Sequence, residues 1–147
     1  MPEGVSFQGA SYAMLDGKGR LSVPKRHRDV LEAVASGQLT VTRHTDKCLA
    51  IFPRTEWPAF SKKISELPQK ARWVKRMFLG HAMDVELDST GRILVPPELR
   101  SAAALTKEIV LLGMGSYLEL WDKAIYDEKE AEVLSEDMPD VFEDFSF

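Results

Sequence analysis

The 147-residue sequence predicts an α+β fold: two tandem β-hairpin/short-helix repeats sharing one barrel-like domain about a pseudo-two-fold axis, with a helical connector between them and a C-terminal helix. Three observations predict it. Sliding the chain by 72 positions superposes Asp16, Gly19, Arg20, Val23, Pro24 and Arg28 on Asp88, Gly91, Arg92, Val95, Pro96 and Arg100, so one unit is present twice. Each copy runs through short extended stretches, a turn signal and one short amphipathic stretch, the pattern of a small mixed unit. Such a unit has too little apolar surface to close a core alone, and the other copy is the obvious partner.

In the first repeat, residues 7–56, an extended stretch over 7–15 leads into the turn Asp16-Gly17-Lys18-Gly19, where Asp can accept backbone N–H bonds and Gly supplies a positive φ. Residues 21–23 are extended until Pro24 stops them. The spacing of Val30, Leu31 and Val34 predicts a helix over 26–34 closed by Ser36-Gly37, and strands at 38–43 and 48–52 form a hairpin around His44-Thr-Asp-Lys47. Residues 57–81 form the connector, with Trp57, Phe60, Ile64 and Leu67 at helical spacing, then Pro68, then Trp73, Val74, Met77, Phe78 and Leu79 on a second helix. These aromatics are read as packing residues. The second repeat, 82–126, follows the first: strand at 82–87, turn Asp88-Ser-Thr-Gly91, strand at 93–95, a helix opened by Pro97, then strands at 108–112 and 117–121. Residues 127–147 are an acidic helix end, in a last helix near 122–134, and a tail read as disordered.

Composition excludes several classes. At 44% hydrophobic and 29% charged, the chain is neither disordered throughout nor a collagen-like fibre. Its one cysteine, Cys48, excludes an internal disulfide, suits a reducing cytoplasm, and is read as a small buried hydrophobe. The first residues lack the basic and apolar regions of an export signal, and the longest apolar run, 109–115, is too short to span a bilayer, so no membrane association is expected. His27, His44 and His81 fall in different elements, no Ser-His-Asp order or metal-ligand spacing is present, and the paired carboxylates sit in the polar tail. No enzyme, no metal and no cofactor is expected; His81 is assigned packing or hydrogen bonding.

The charge total conceals two regions. Formal charge is -4, but residues 127–147 hold nine acids and one base, whereas residues 1–126 hold 18 bases and 14 acids. The body is therefore +4 and the tail -8. Within the body, Lys18, Arg20, Lys25, Arg26 and Arg28 outnumber Asp16 and Asp29, while the matching second-copy stretch is balanced. If nucleic acid is bound, the first copy carries more of the phosphate contacts. The recurring Asp-x-x-x-Arg has two competing uses: the arginine can pair with the aspartate and hold the turn, or project its planar fork to a phosphate or a guanine edge.

These residues resemble the MraZ family of bacterial regulators, related to the AbrB-type transition-state regulators. Leu15-Asp16, Lys18-Gly19-Arg20-Leu-Ser-Val-Pro24, Leu79-Gly-His-Ala82, Asp88, Gly91-Arg92, Pro96-Pro-Glu-Leu-Arg100 and Glu119-Leu-Trp121-Asp122 stand in that family's order, covering about residues 7–126. The resemblance implies two AbrB-type swapped-hairpin units per chain, a ring-like homo-oligomer, and association with the nucleoid. It also implies transcriptional regulation through binding to short direct repeats in double-stranded DNA upstream of the division and cell wall gene cluster. By position it makes Arg20 and Arg92 the motif arginines and Asp16 and Asp88 their partners. Lys18, Lys25, Arg26 and Arg28 are added as DNA-binding candidates from charge and placement. The alternative is an oligomeric scaffold or protein-interaction module of the same fold without specific DNA binding.

Overall fold

A computed structural model describes residues 1–146. The chain runs β1 (Ala10–Met14), β2 (Arg20–Ser22), α1 (Lys25–Ala35), β3 (Gln38–Arg43) and β4 (Leu49–Pro53) through the first repeat. The connector is α2 (Trp57–Ser65), a 3-10 turn (Gln69–Ala71) and α3 (Arg72–Phe78). The second repeat is β5 (Met83–Glu86), β6 (Arg92–Leu94), α4 (Pro97–Ala102), β7 (Glu108–Gly113) and β8 (Leu118–Asp122), followed by α5 (Lys123–Leu134). This is the α+β arrangement of two repeats that the sequence predicts.

The repeats are interleaved rather than set side by side. Six strands form one sheet in the order β1-β7-β8-β4-β3-β5, and β2 pairs with β6 in a separate ribbon. Exchanging each strand for its counterpart reverses the six-strand order and returns the same sheet. The registers locate the axis: Leu21 pairs with its own equivalent Ile93, and Leu49↔Leu120 and Ile51↔Leu118 exchange around the central pair Ala50↔Glu119. The sheet stays open, with β1 and β5 as edges and the ribbon supplying the remaining strands, so the predicted barrel-like domain is not a closed barrel.

The expected turn at Asp16 is present, yet β1 and β2 form no ladder with each other, and their arms are joined beside the turn by the isolated bridge Leu15↔Leu21. After the turn the strands part, and each ladders with the opposite repeat: β1 with β7, β2 with β6. Neither repeat can keep its sheet without the other. The core records this, since Leu21, Leu31, Leu39, Val41 and Ile51 from one copy and Ile93, Leu99, Ile109, Leu111 and Leu120 from the other form one cluster, each at most 1% exposed.

The opposite face of the sheet is covered by the connector and α5. Phe52 stacks with Phe60 and Tyr117 and meets Trp57 edge-on, while Phe78 packs against Phe60. Trp73 departs from the expectation that the connector aromatics pack: it is 70% exposed, with the Arg76 guanidinium 4.5 Å above its ring. Helical spacing placed it on α3, but that helix turns only Phe78 fully into the molecule. α5 begins where the Asp122 carboxylate caps Ile125 N–H and also accepts from Thr106. Residues 127–146 are exposed throughout and carry one 3-10 turn, Asp140–Phe142.

Candidate nucleic-acid interface

Both Asp-x-x-x-Arg segments fold into the same closed loop. Asp16 Oδ1 accepts from the N–H groups of Lys18 and Arg20, each at 2.9 Å, while Asp16 N–H donates to the Arg20 carbonyl at 3.0 Å. Asp88 Oδ1 accepts from the N–H of Thr90 and of Arg92, again at 2.9 Å, and from the Thr90 hydroxyl at 2.8 Å. The fourth residue of each turn must be left-handed, and Gly19 and Gly91 supply φ of +82° and +79° without the cost a Cβ would bring. Accepting so many donors favours the ionised carboxylate. The Arg20 N–H, with the Arg20 side chain and Lys18 N–H behind it, holds Asp16 down at about 2. The Arg92 N–H and the Thr90 hydroxyl do the same for Asp88, also to about 2.

The second carboxylate oxygen decides how the arginine is used. Arg20 Nε lies 2.7 Å from Asp16 Oδ2, and Arg92 Nε 3.2 Å from Asp88 Oδ2. Only Nε is engaged, so the terminal nitrogens of both forks have no protein partner among the described residues. Pairing and projecting are compatible uses of one guanidinium, because the pairing occupies Nε and leaves the terminal nitrogens available. Both pairs are solvent-exposed, so they contribute little to stability. Their effect is on direction: Asp fixes the root of the fork.

The ribbon then sets where the two forks stand. In the register Arg20↔Leu94, Leu21↔Ile93, Ser22↔Arg92, the two buried residues face the core, and Arg20, Ser22, Arg92 and Leu94 share the outer face. The motif arginines are diagonal neighbours across the pseudo-axis, flanked by an exposed hydroxyl and by Leu94, 53% exposed. Lys18 adds an exposed ammonium on the first loop, where the second has Thr90.

α1 brings the other candidates. Its first turn carries Lys25, Arg26 and Arg28 and no acid, at the helix end whose dipole is positive. Each cation there costs about 0.3–1 kcal/mol. The counterpart α4 is conventional, with Glu98 in its first turn and Arg100 in its last. Lys25 is highly exposed and pairs with Asp29 at 2.8 Å; Arg26 lies over Gly9 where that residue lacks a Cβ. His27 points inward, 1% exposed, and its burial, helped by Arg26, lowers its pKa.

Arg28 is placed differently from Lys25 and Arg26. Its guanidinium crosses to the opposite repeat and occupies the space a Cβ on Gly91 would need. Arg100 does the reciprocal thing, lying over Gly19, with Nε buried and without a hydrogen-bond partner. Each loop is thus backed by an arginine from the other copy. A groove runs beside each crossing, one bordered by Asp16, Arg100 and Lys107, the other by Arg28, Glu32 and Asp88. Arg100 was not among the sequence candidates, although its coincidence with Arg28 at offset 72 was a signal for both.

The structure therefore brings Arg20, Arg92 and their partners Asp16 and Asp88 to one ribbon, with Lys18 on the first loop. Lys25 and Arg26 lie at the start of α1, and Arg28 is engaged with the second loop.

The family model described as "MraZ protein, putative antitoxin-like" matches residues 6–78 and again 77–144, so the chain carries two copies of that unit. The chain is similar to proteins named transcriptional regulator MraZ. The one from Acidovorax sp. (strain JS42) is 63% identical over 96% of this chain and 99% of its own length. Those of Polaromonas sp. (strain JS666 / ATCC BAA-500) and Burkholderia cenocepacia (strain HI2424) are 64% and 57% identical over the same shares. These relatives are named as regulators rather than enzymes, in agreement with the sequence.

Proposed function

The chain belongs to the MraZ family, and from that premise we propose that it regulates transcription by binding DNA sequence-specifically through the outer face of the β2–β6 ribbon. The observation carrying this reading is the pair of Asp-anchored arginines, Arg20 and Arg92, whose terminal nitrogens face outward from one two-stranded ribbon. The major groove of B-DNA admits such a ribbon, and an arginine fork suits the O6 and N7 of guanine. Anchoring at Nε removes part of the ordering cost before DNA arrives. Lys18, Lys25 and Arg26 supply charge for flanking phosphates, which position without specifying sequence.

The target in this reading is a set of short direct repeats upstream of the division and cell wall gene cluster, engaged by a ring-like homo-oligomer associated with the nucleoid in the cytoplasm. One chain presents one ribbon, so repeated sites match repeated subunits. Among the described residues no helix is long and apolar enough to cross a membrane.

The test is a footprint of the full chain on the region upstream of its own gene. The reading expects protected tracts recurring at a fixed spacing, with log K falling steeply as log[salt] rises. Uniform protection, or equal affinity for random DNA, contradicts sequence-specific binding and leaves the oligomeric scaffold.

A further inference from the structure

The sheet face opposite the core holds a second cluster, independent of the loops and of the DNA reading. His44 opens the β3–β4 turn, Cys48 closes it, and Glu119 lies across the sheet on β8 beside the pseudo-axis. One ligand atom from each, the His44 ring nitrogen, Cys48 Sγ and a Glu119 oxygen, all lie within 4.8 Å of one another. Cys48 is 2% exposed and Glu119 6%, so a carboxylate and a thiol are enclosed together with an imidazole at the mouth.

Glu119 is oriented for this role. Trp121 Nε1 donates to its Oε1 at 2.9 Å, which turns Oε2 toward His44 Nε2, 3.5 Å away. That separation is already the donor spacing of a tetrahedral zinc, about 3.3–3.8 Å for bonds of 2.0–2.3 Å. Among the described residues the only base facing this buried carboxylate is His44, so the cavity is deficient in positive charge. Asp46 stands behind the imidazole, with Oδ2 3.7 Å from Nδ1 and its N–H donating to Nδ1 at 3.0 Å.

We propose that His44, Cys48 and Glu119 form a binding site for a divalent metal ion of the zinc class, with a fourth position open to water on the exposed side of His44. Thiolate, imidazole and carboxylate together suit a borderline-soft ion over magnesium or calcium. Binding displaces the Cys48 proton to solvent and forms the sulfur–metal bond. The imidazole stays neutral: its proton moves from Nε2, which takes the metal, to Nδ1, where the Asp46 N–H contact of the metal-free site gives way and the turn closes the 3.7 Å to Asp46 Oδ2, making the outer-shell bond that orients a metal-bound histidine. Without metal, burial and then the Glu119 charge push the Cys48 pKa up and favour the protonated thiol. The site links the β3–β4 turn, which meets α3 through the His44–Phe78 contact, to strand β8, whose Trp121 meets Tyr126 on α5.

Cobalt(II) titration of the full chain tests the site, because a thiolate–cobalt charge-transfer band reports Cys48 and cannot come from the acidic tail. The expected result is a saturable band that zinc displaces, that Cys48→Ser abolishes, and that His44→Asn weakens. Asp46→Ala, an exposed turn substitution that leaves the fold intact, should lower zinc affinity about 10- to 100-fold. Absence of the band, or a zinc affinity identical in wild type, Cys48→Ser and Asp46→Ala, overturns the proposal and assigns metal uptake to surface carboxylates. DNA binding is a separate readout, and its loss or retention does not bear on the site.

Discussion

Acid should open the two loops before it unfolds the core. Asp16 and Asp88 sit at about 2 in the folded protein against an ordinary 3.8, so the native state favours their ionised form. The sign follows: their contribution is complete above the ordinary value and is lost as pH falls through the folded one. Amide exchange at Gly19 and Gly91, measured between pH 4 and pH 2, should rise ahead of exchange at Ile109 or Leu120; simultaneous loss contradicts the assignment. At the same positions Gly19→Ala meets a left-handed backbone and the Arg100 guanidinium together, whereas Arg100 can move but φ cannot. A loss of about 1 kcal/mol or more is expected in denaturant melts. The residues of the loops were legible in sequence because repetition exposed them. The Nε-only pairing was not, since sequence shows which groups could meet and not which nitrogen does.

Among the elements, the interleaved ribbon and the crossing arginines distribute each loop over both repeats. Arg100→Ala removes the support behind the Asp16 loop, and Arg28→Ala that behind the Asp88 loop. Hydrogen exchange should therefore change across the repeats: Arg28→Ala accelerates Thr90 and Gly91 more than Lys18 and Gly19, and Arg100→Ala does the reverse. Effects confined to each arginine's own repeat would show that the crossings carry no support. Leu21 and Ile93, paired on the axis and at most 1% exposed, are the packed centre of the ribbon. Leu21→Ala should cost about 2–5 kcal/mol in unfolding free energy. Period and turn chemistry located every strand of the two copies within a few residues. Strand exchange was invisible to them, because β1 followed by a turn and β2 reads the same whether the strands pair together or with the other copy. The exposure of Trp73 escaped for a related reason: helical spacing gives a face, and the face of a short helix that meets solvent depends on how the connector is laid on β3 and β4.

For the whole molecule, the acidic tail and the basic body are different parts of the chain. Deleting residues 136–147 removes five acids and changes the formal charge from -4 to +1. If the tail competes with phosphate for the basic face, that deletion strengthens binding to random DNA at low salt and the gain disappears at high salt. An unchanged affinity assigns the tail to solubility. Separation of charge along the chain was readable directly from the sequence, but the His44–Cys48–Glu119 cluster was not: Cys48 and Glu119 are 71 positions apart, and only the pairing of β4 with β8 brings them together.

Arg20 and Arg92 are proposed to read DNA from Asp-anchored positions on one ribbon. The most direct measurement compares wild type, Arg20→Ala and Arg92→Ala for affinity to repeat-containing and scrambled DNA at fixed salt, with oligomeric state followed in parallel. Each substitution should lower the preference for the repeats by about 1–3 kcal/mol while the oligomer stays intact. Equal preference in all three proteins, with binding otherwise normal, would contradict it.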